Sequence, residues 1–121
     1  MWRRCSMNKD DQIRLHHMLD AAHEAVMFMQ HETRASLDSD RKLLLALVKD
    51  IEIIGEAASR VTEALQQTTL EIPWTQIVGM RNRLIHAYFN IDKETIWKTI
   101  TEDLPPLIVE LEKIIPPEEN T

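Results

Sequence analysis

The chain has 121 residues and a mass of 14.1 kDa, which suits one domain. Fourteen Lys and Arg against twenty Asp and Glu give a net charge of −6, which argues against a broad cationic surface that coats nucleic acid. One cysteine excludes an internal disulfide and any zinc site built on cysteine pairs, and two glycines leave no Gly-rich phosphate loop. The longest apolar run, Leu43 to Val48, is too short to cross a bilayer, so we expect a cytoplasmic protein without membrane contact.

The N-terminal third predicts a tail and one helix. Residues 1–9 show no helical period and are expected to be a frayed tail or a start-site extension. A first helix is predicted from about Asp10 to Gln30 because apolar residues recur there at alternating spacings of three and four. These residues, which should face the core, are Leu15, Met18, Ala22, Ala25 and Met29.

A second helix, from about Asp40 to Gln67, has the clearest pattern. Its apolar stripe comprises Leu44, Leu47, Ile51, Ile54, Ala58, Val61 and Leu65. Such a helix would be about 40 Å long, longer than a domain of this size needs, so its surplus apolar face suggests a partner helix from a second subunit. The small residues Gly55, Ala57 and Ala58 would let a neighbouring backbone approach closely.

The remaining chain predicts further helices and no strand. A third helix should start at Pro73 and end near Ile85 or His86, followed by a turn and a fourth helix capped by Asp92. A kink is expected near Asp103 because two prolines follow. The last helix should end by residue 115, leaving residues 116–121 as a disordered acidic tail. The predicted architecture is an all-α bundle of four or five helices over residues 10–115.

The first candidate site is a polar face of the first helix. His16, Asp20 and His23, with Glu24, lie three or four residues apart and could approach a metal together. A di-iron bundle needs acid-x-x-His pairs on facing helices, and this chain has a single such pair. An ordinary solvated face is therefore favoured, and no metal or other cofactor is expected; His17 and His31 receive no role.

The second candidate site is the segment from Arg81 to Tyr88, where an arginine, an asparagine and a histidine lie together. Arginine is a permanent, forked donor for phosphate, and histidine exchanges protons near neutral pH. These are the minimal groups for cleaving RNA without a metal: one imidazole deprotonates the 2′-hydroxyl, a protonated group serves the leaving 5′-oxygen, and Arg81 stabilises the charge on phosphorus.

Helix geometry constrains this hypothesis. Arg81 and His86 would lie about 140° apart on a straight helix, whereas Asn82 and His86 share a face. Either the helix unwinds before His86, or the two groups converge with copies from another chain. One imidazole cannot be base and acid at the same moment, and two copies of His86 across a two-fold axis could divide these roles, so a homodimer is expected.

A structural interpretation of the same residues stays open on residue types alone. Arg81 could pair with a buried acid such as Glu56, and His86 could interact with a helix C-terminus. Tyr88 would then be a half-buried packing residue.

Four segments, in order along the chain, resemble a known family. They are Ile54-Gly55-Glu56-Ala57-Ala58, Glu71-Ile72-Pro73-Trp74, Arg81 through Tyr88, and Trp97 with Asp103-Leu104-Pro105. Together they resemble the HepT-like family of HEPN-domain ribonuclease toxins, which are usually encoded beside a minimal nucleotidyltransferase antitoxin. The likeness covers residues 10–115, and the arginine–histidine motif shows no departure from the family pattern.

The resemblance implies a homodimeric helical bundle of HEPN type with metal-independent activity on single-stranded or tRNA-like RNA. By position, Arg81 and His86 match the catalytic pair, and Asn82, with Arg83 beside it, would assist substrate binding. Tyr88 matches the tyrosine to which the antitoxin can add AMP. That modification would place bulk and negative charge two residues from His86 and repel RNA phosphate.

A competing hypothesis also follows from the resemblance. The chain could be a non-catalytic helical dimer that holds the nucleotidyltransferase or binds a nucleotide without cutting RNA. The net charge of −6 slightly favours this alternative, because RNA recruitment would be weak away from the cleft.

Overall fold

The computed structural model describes residues 7–87 and 90–116, with side chains described in those ranges except at positions 81, 84–87 and 90. Over these ranges the secondary structure is helical apart from one short hairpin, which confirms the all-α fold class. The elements are α1 (Lys9–Phe28), α2 (Ser36–Ser39), α3 (Arg41–Ser59), α4 (Glu63–Thr68), α5 (Trp74–Val78), α6 (Met80–Leu84), β1 (Ile85–Ala87), β2 (Asn90–Ile91), α7 (Lys93–Lys98), a π-helical segment (Thr99–Asp103) and α8 (Leu104–Ile114). No helix within the described ranges combines the length and apolarity needed to span a bilayer.

The core lies between α1 and α3, which pack along their lengths, with α8 against α1 and with α5 and α6 against α3. All five predicted core residues of the first helix are buried, including Met29 at its C-cap, as are six of the seven in the predicted second helix. The seventh, Leu65, is half-buried against the same core. The periodicity therefore predicted correctly which faces of the two long helices are buried.

The start of the fold lies slightly earlier than the sequence indicates. Asn8 caps α1 by accepting a hydrogen bond from the Asp11 N–H at 2.7 Å, and Met7 packs against the core. Residues 7–9 of the predicted tail thus belong to the domain. Residues 1–6 and 117–121, which carry the rest of the predicted tails, lie outside the described residues.

The predicted second helix is wrong in its length, since α3 ends at Ser59 and α4 starts at Glu63. Asp11, which is 2% exposed, accepts hydrogen bonds from the Thr62 N–H at 3.0 Å and the Thr62 hydroxyl at 2.6 Å. Thr62 also caps α4 by accepting from the Leu65 N–H. With 19 residues, α3 is about 28 Å long, so the argument for a partner subunit from surplus helix length does not hold.

The expected close approach at Gly55 is present, and the approaching backbone comes from the same chain. A Cβ added at Gly55 would lie 3.4 Å from the carbonyl oxygen of Ile77, at the end of α5. An alanine would therefore meet that oxygen at the near edge of ordinary van der Waals distance, so the small residue at position 55 suits the close packing of α5 on α3.

The predicted third helix is divided and ends earlier than expected. Gly79 is the C-cap of α5, and α6 follows for only five residues. Contrary to the expectation of no strand, β1 then pairs antiparallel with β2. The pairing supplies backbone hydrogen-bond partners where the chain turns back towards α7.

The end of the fold agrees with the sequence. Asp92 caps α7 by accepting from the Thr95 N–H, and the kink predicted near Asp103 takes the form of the π-helical segment. Pro105 and Pro106 lie in the first turn of α8, where their missing N–H groups cost little.

One buried acid lies between α1 and α3. Asp50 is 2% exposed, its Oδ2 has no hydrogen-bond partner among the described residues, and it faces Glu24 of α1. Burial, followed by the hydrogen bond and charge of Glu24, raises the pKa of Asp50 to about 7. The carboxyl group of Asp50 is therefore protonated below neutral pH.

This raised pKa predicts how stability depends on pH. A carboxyl whose folded pKa exceeds its unfolded value contributes stability that is complete below about pH 4 and is lost as the pH rises through about 7. Asp50→Asn should therefore raise the free energy of unfolding at pH 8 by up to about 4 kcal/mol and flatten its decline between pH 5 and 8. Urea unfolding across that range measures both effects.

The matched control is Asp20→Asn, an exposed acid that lines the same cleft as Asp50. This substitution should leave the pH dependence of the unfolding free energy close to that of the unmodified chain. A profile in Asp50→Asn identical to that of Asp20→Asn would show that Asp50 is ionised in the folded protein at neutral pH.

Candidate functional site

The backbone of the Arg81–His86 motif changes from helix to strand between the two residues. Arg81 is the second residue of α6, and His86 is the middle residue of β1. Of the two geometries expected from the sequence, the backbone adopts the one in which the helix unwinds before His86. The side chains of Arg81 and His86 lie outside the described set, as does Tyr88 altogether, so their convergence stays a prediction.

His86 lies at an irregularity of the hairpin. Ile85 pairs with Ile91 and Ala87 pairs with Asn90, so the register shifts across His86. Such irregularities re-aim side chains and are common next to active sites. Because α6 ends two residues earlier, His86 is also outside the last helical turn, where a cation interacts best with the helix dipole. The interpretation of His86 as a helix-end residue therefore loses its geometric premise.

The hairpin is held in position on its C-terminal side by ion pairs. Arg34, just before α2, contacts Glu94 at 3.0 Å, and Asp38 of α2 contacts Lys93 at 3.3 Å. Glu94 and Lys93 both belong to the first turn of α7, which only Asp92 separates from β2. Each exposed pair contributes little stability by itself, but together they fix the position at which α7 begins.

Asn82 and Arg83 differ in their surroundings. Asn82 is exposed, and its backbone N–H donates to the Gly79 carbonyl at 3.1 Å. Arg83 is also exposed, but its Nη2 donates to the carbonyl of Gln76 at 3.3 Å. The guanidinium of Arg83 is thus directed back along α5, whereas Asn82 remains open to solvent for the assisting role expected from its position.

Arg83 lines a cleft of about 290 Å³ between α5, α6 and the start of α8, whose apolar walls include Ile77, Met80 and Leu107. Asp103 lies in the same cleft. Burial and the charge of Glu102 raise the pKa of Asp103, and the charge of Arg83 partly opposes this. The guanidinium of Arg83 therefore interacts electrostatically with the carboxyl group of Asp103.

Glu56, considered above as a buried partner of Arg81, is not a buried acid. Its side chain is 50% exposed, and Oε2 accepts from Arg60 at 2.9 Å. Arg60 is therefore one counter-ion of Glu56, and a pairing of Glu56 with the Arg81 side chain, which lies outside the described set, stays a prediction.

The histidine-rich face of α1 does not assemble a metal site. His23 Nε2 lies 3.3 Å from Glu112 Oε2 on α8, which directs it away from a shared ligand position. Among the residues whose placement is described, no three His, Cys, Asp or Glu side chains converge to hold a metal ion.

Sequence reasoning missed two adjoining charged clefts of α1 and α3, one lined by Arg14 and Lys49 and the other by Asp50. The signal was weak but present: Lys49 and Asp50 interrupt an otherwise apolar stretch of α3 between Val48 and Ile51. That these residues lie beside α1 follows only from the packing of α3 on α1, which the sequence alone does not show.

Comparison with known proteins gives a consistent result. The family model described as ribonuclease HepT-like matches residues 18–114. A protein of Thermococcus cleftensis named "Probable ribonuclease HepT" is 41% identical over 75 residues, which cover 62% of this chain and 68% of that protein. The protein MJ1380 of Methanocaldococcus jannaschii, whose name describes a candidate RNase, is 32% identical over 98 residues, covering 81% and 90% of the two chains. No solved structure matches the chain.

The matched region contains the second half of α1, the whole of α3 and α6, and the hairpin that carries His86. The agreement therefore covers the candidate site as well as the scaffold. The chain belongs to the ribonuclease HepT-like family.

Proposed function

We propose that this chain is the toxin of a toxin–antitoxin pair and acts as a metal-independent endoribonuclease. Family membership supports a ribonuclease activity. The observation that carries the assignment to Arg81 and His86 is the end of α6 at Leu84, because it frees His86 from the helical geometry that would separate it from Arg81.

In the proposed reaction, the imidazole of His86 removes the proton of the RNA 2′-hydroxyl, whose oxygen attacks the adjacent phosphorus. The 5′-oxygen leaves and takes a proton, giving a cyclic phosphate and a 5′-hydroxyl. Arg81 stabilises the negative charge on the phosphoryl oxygens. Asn82, which is open to solvent, orients the phosphate.

A homodimer remains part of the proposal for a chemical reason. One imidazole cannot act as neutral base and cationic acid at once, so two copies of His86 facing a common cleft would divide the roles. This argument is independent of the length of α3.

Regulation is proposed to act at Tyr88, through AMP added by a nucleotidyltransferase antitoxin. The modification would introduce a phosphodiester negative charge two residues from His86. Like charge would then repel the RNA phosphate, and the added nucleotide would obstruct the cleft.

The first test replaces the proposed catalytic groups. His86→Ala and Arg81→Ala should each lower the rate of RNA cleavage at least 100-fold, because general acid–base catalysis and charge stabilisation each contribute on that order. Cleavage of a single-stranded RNA by the purified chain, together with growth arrest on expression, measures the effect.

Controls of the same residue types are available. His23→Ala and Arg41→Ala remove an exposed histidine and an exposed arginine elsewhere on the surface and should retain cleavage. Cleavage retained by His86→Ala would refute the catalytic assignment, and a chain that never cleaves RNA but binds a nucleotidyltransferase would support the non-catalytic alternative.

Metal independence has its own test. EDTA added to the purified chain should leave the cleavage rate unchanged, because the proposed chemistry needs only an imidazole and a guanidinium. Loss of activity that returns on adding Mg²⁺ or Mn²⁺ would contradict the mechanism.

Modification of Tyr88 is tested by intact mass. The chain purified with its genomic nucleotidyltransferase neighbour should gain the mass of AMP, and Tyr88→Phe should not. The modified chain should also lose RNA cleavage, whereas modification without loss of cleavage would exclude the proposed regulatory role.

A further inference from the structure

A cleft of about 390 Å³ lies on the outer face of α1 and α3. Its charged lining residues are Arg14, Lys49, Glu52, Glu56 and Arg60, and His17 lies beside them. Three permanent cations therefore meet two carboxylates in one depression of a chain whose net charge is −6.

The charges do not cancel locally. Arg60 and Glu56 pair with each other at 2.9 Å. This leaves Arg14 and Lys49 against Glu52, and neither cation forms an ion pair with any other residue in the described ranges. The lining of this groove therefore carries one positive charge in excess, whereas three acids, Asp20, Glu24 and Asp50, line the adjoining cleft that shares His17 with it.

Arg14 is also incompletely satisfied. Its Nε is buried and has no hydrogen-bond partner among the described residues. Such a donor is ordinarily paired by an ordered water, and because Nε is buried, a ligand in the groove would be bound by the outer nitrogens of the guanidinium. A phosphate group is an acceptor whose geometry the guanidinium fork matches.

The groove adjoins the helices of the candidate site. Glu56 and Ala57 line it, and a Cβ added at the preceding residue, Gly55, would lie 3.4 Å from the Ile77 carbonyl oxygen at the end of α5. Only Gly79 separates α5 from α6, which carries Arg81. An extended chain bound at Arg81 could thus continue along the outer face of α3.

We propose that this groove, through Arg14 and Lys49, binds backbone phosphates of the RNA flanking the cleaved bond. The proposal rests on the proposed ribonuclease function and adds a substrate-binding surface to it. Binding of this kind is independent of base sequence, since phosphates carry no sequence information.

Lys49→Gln is the sharpest test, because Lys49 is exposed and its loss should leave folding intact. Binding of a fluorescent 20-nucleotide polyuridine RNA is measured by anisotropy in a His86→Ala background, which prevents cleavage. One lost phosphate contact lowers the salt slope of log K by about 0.7, so affinity at 0.1 M salt should fall about five-fold.

Arg14→Gln combined with Lys49→Gln should lower affinity about 25-fold and the salt slope by about 1.4. Lys113→Gln is the matched control, since it removes the same charge from α8, where Lys113 pairs with Glu110. Melting temperatures of all variants verify that each one folds.

The groove proposal is overturned if Lys49→Gln and Lys113→Gln bind RNA alike, or if the groove variants change the dimer equilibrium in sedimentation without changing RNA affinity. The two proposals fail separately. RNA cleavage that is insensitive to the groove variants overturns the groove alone, whereas groove-dependent RNA binding by a chain that cleaves nothing overturns the nuclease alone.

Discussion

The carboxylate of Asp11 determines the course of the chain in the middle of the molecule. By accepting two hydrogen bonds from Thr62, a residue 51 positions away, it ends α3 and starts α4. A continuous helix through this region would carry the chain away from the core, whereas the break turns it back. The position of α5, and hence of the motif that follows it, depends on that return.

A second buried hydrogen-bonded contact completes the turn of the chain back towards the core. The indole Nε1 of Trp74 donates to the carbonyl of Thr69 at 3.2 Å and its hydroxyl at 3.1 Å, with both residues buried. This contact closes the loop between α4 and α5. It brings the end of α5 against Gly55, where an added Cβ would lie 3.4 Å from the carbonyl oxygen of Ile77. The location of Arg81 on α6 is thus set by interactions far from the motif itself.

The sequence predicted what depends on local periodicity and missed what depends on contacts between distant residues. The buried faces of α1 and α3, the Asp92 cap and the kink before Pro105 each follow from neighbouring residues. The break at Thr62 depends on Asp11, and a strand of three residues is too short to show a period. For the site, residue types and spacing suggested the chemistry, whereas the helix-to-strand transition came from the structure.

The net charge was the main argument from the sequence against RNA binding. The arrangement of the cations weakens that argument. At physiological salt, exposed charges interact over about 8 Å, so a polyanion responds to the local charge more than to the total of −6. Ion pairs join three acids to three cations outside Arg14 and Lys49: Glu56 pairs with Arg60, Glu94 with Arg34 and Asp38 with Lys93. Asp50 is protonated below neutral pH, which removes a further negative charge next to Lys49 in the chain. An acidic chain can therefore present a short cationic path to RNA next to its proposed catalytic motif.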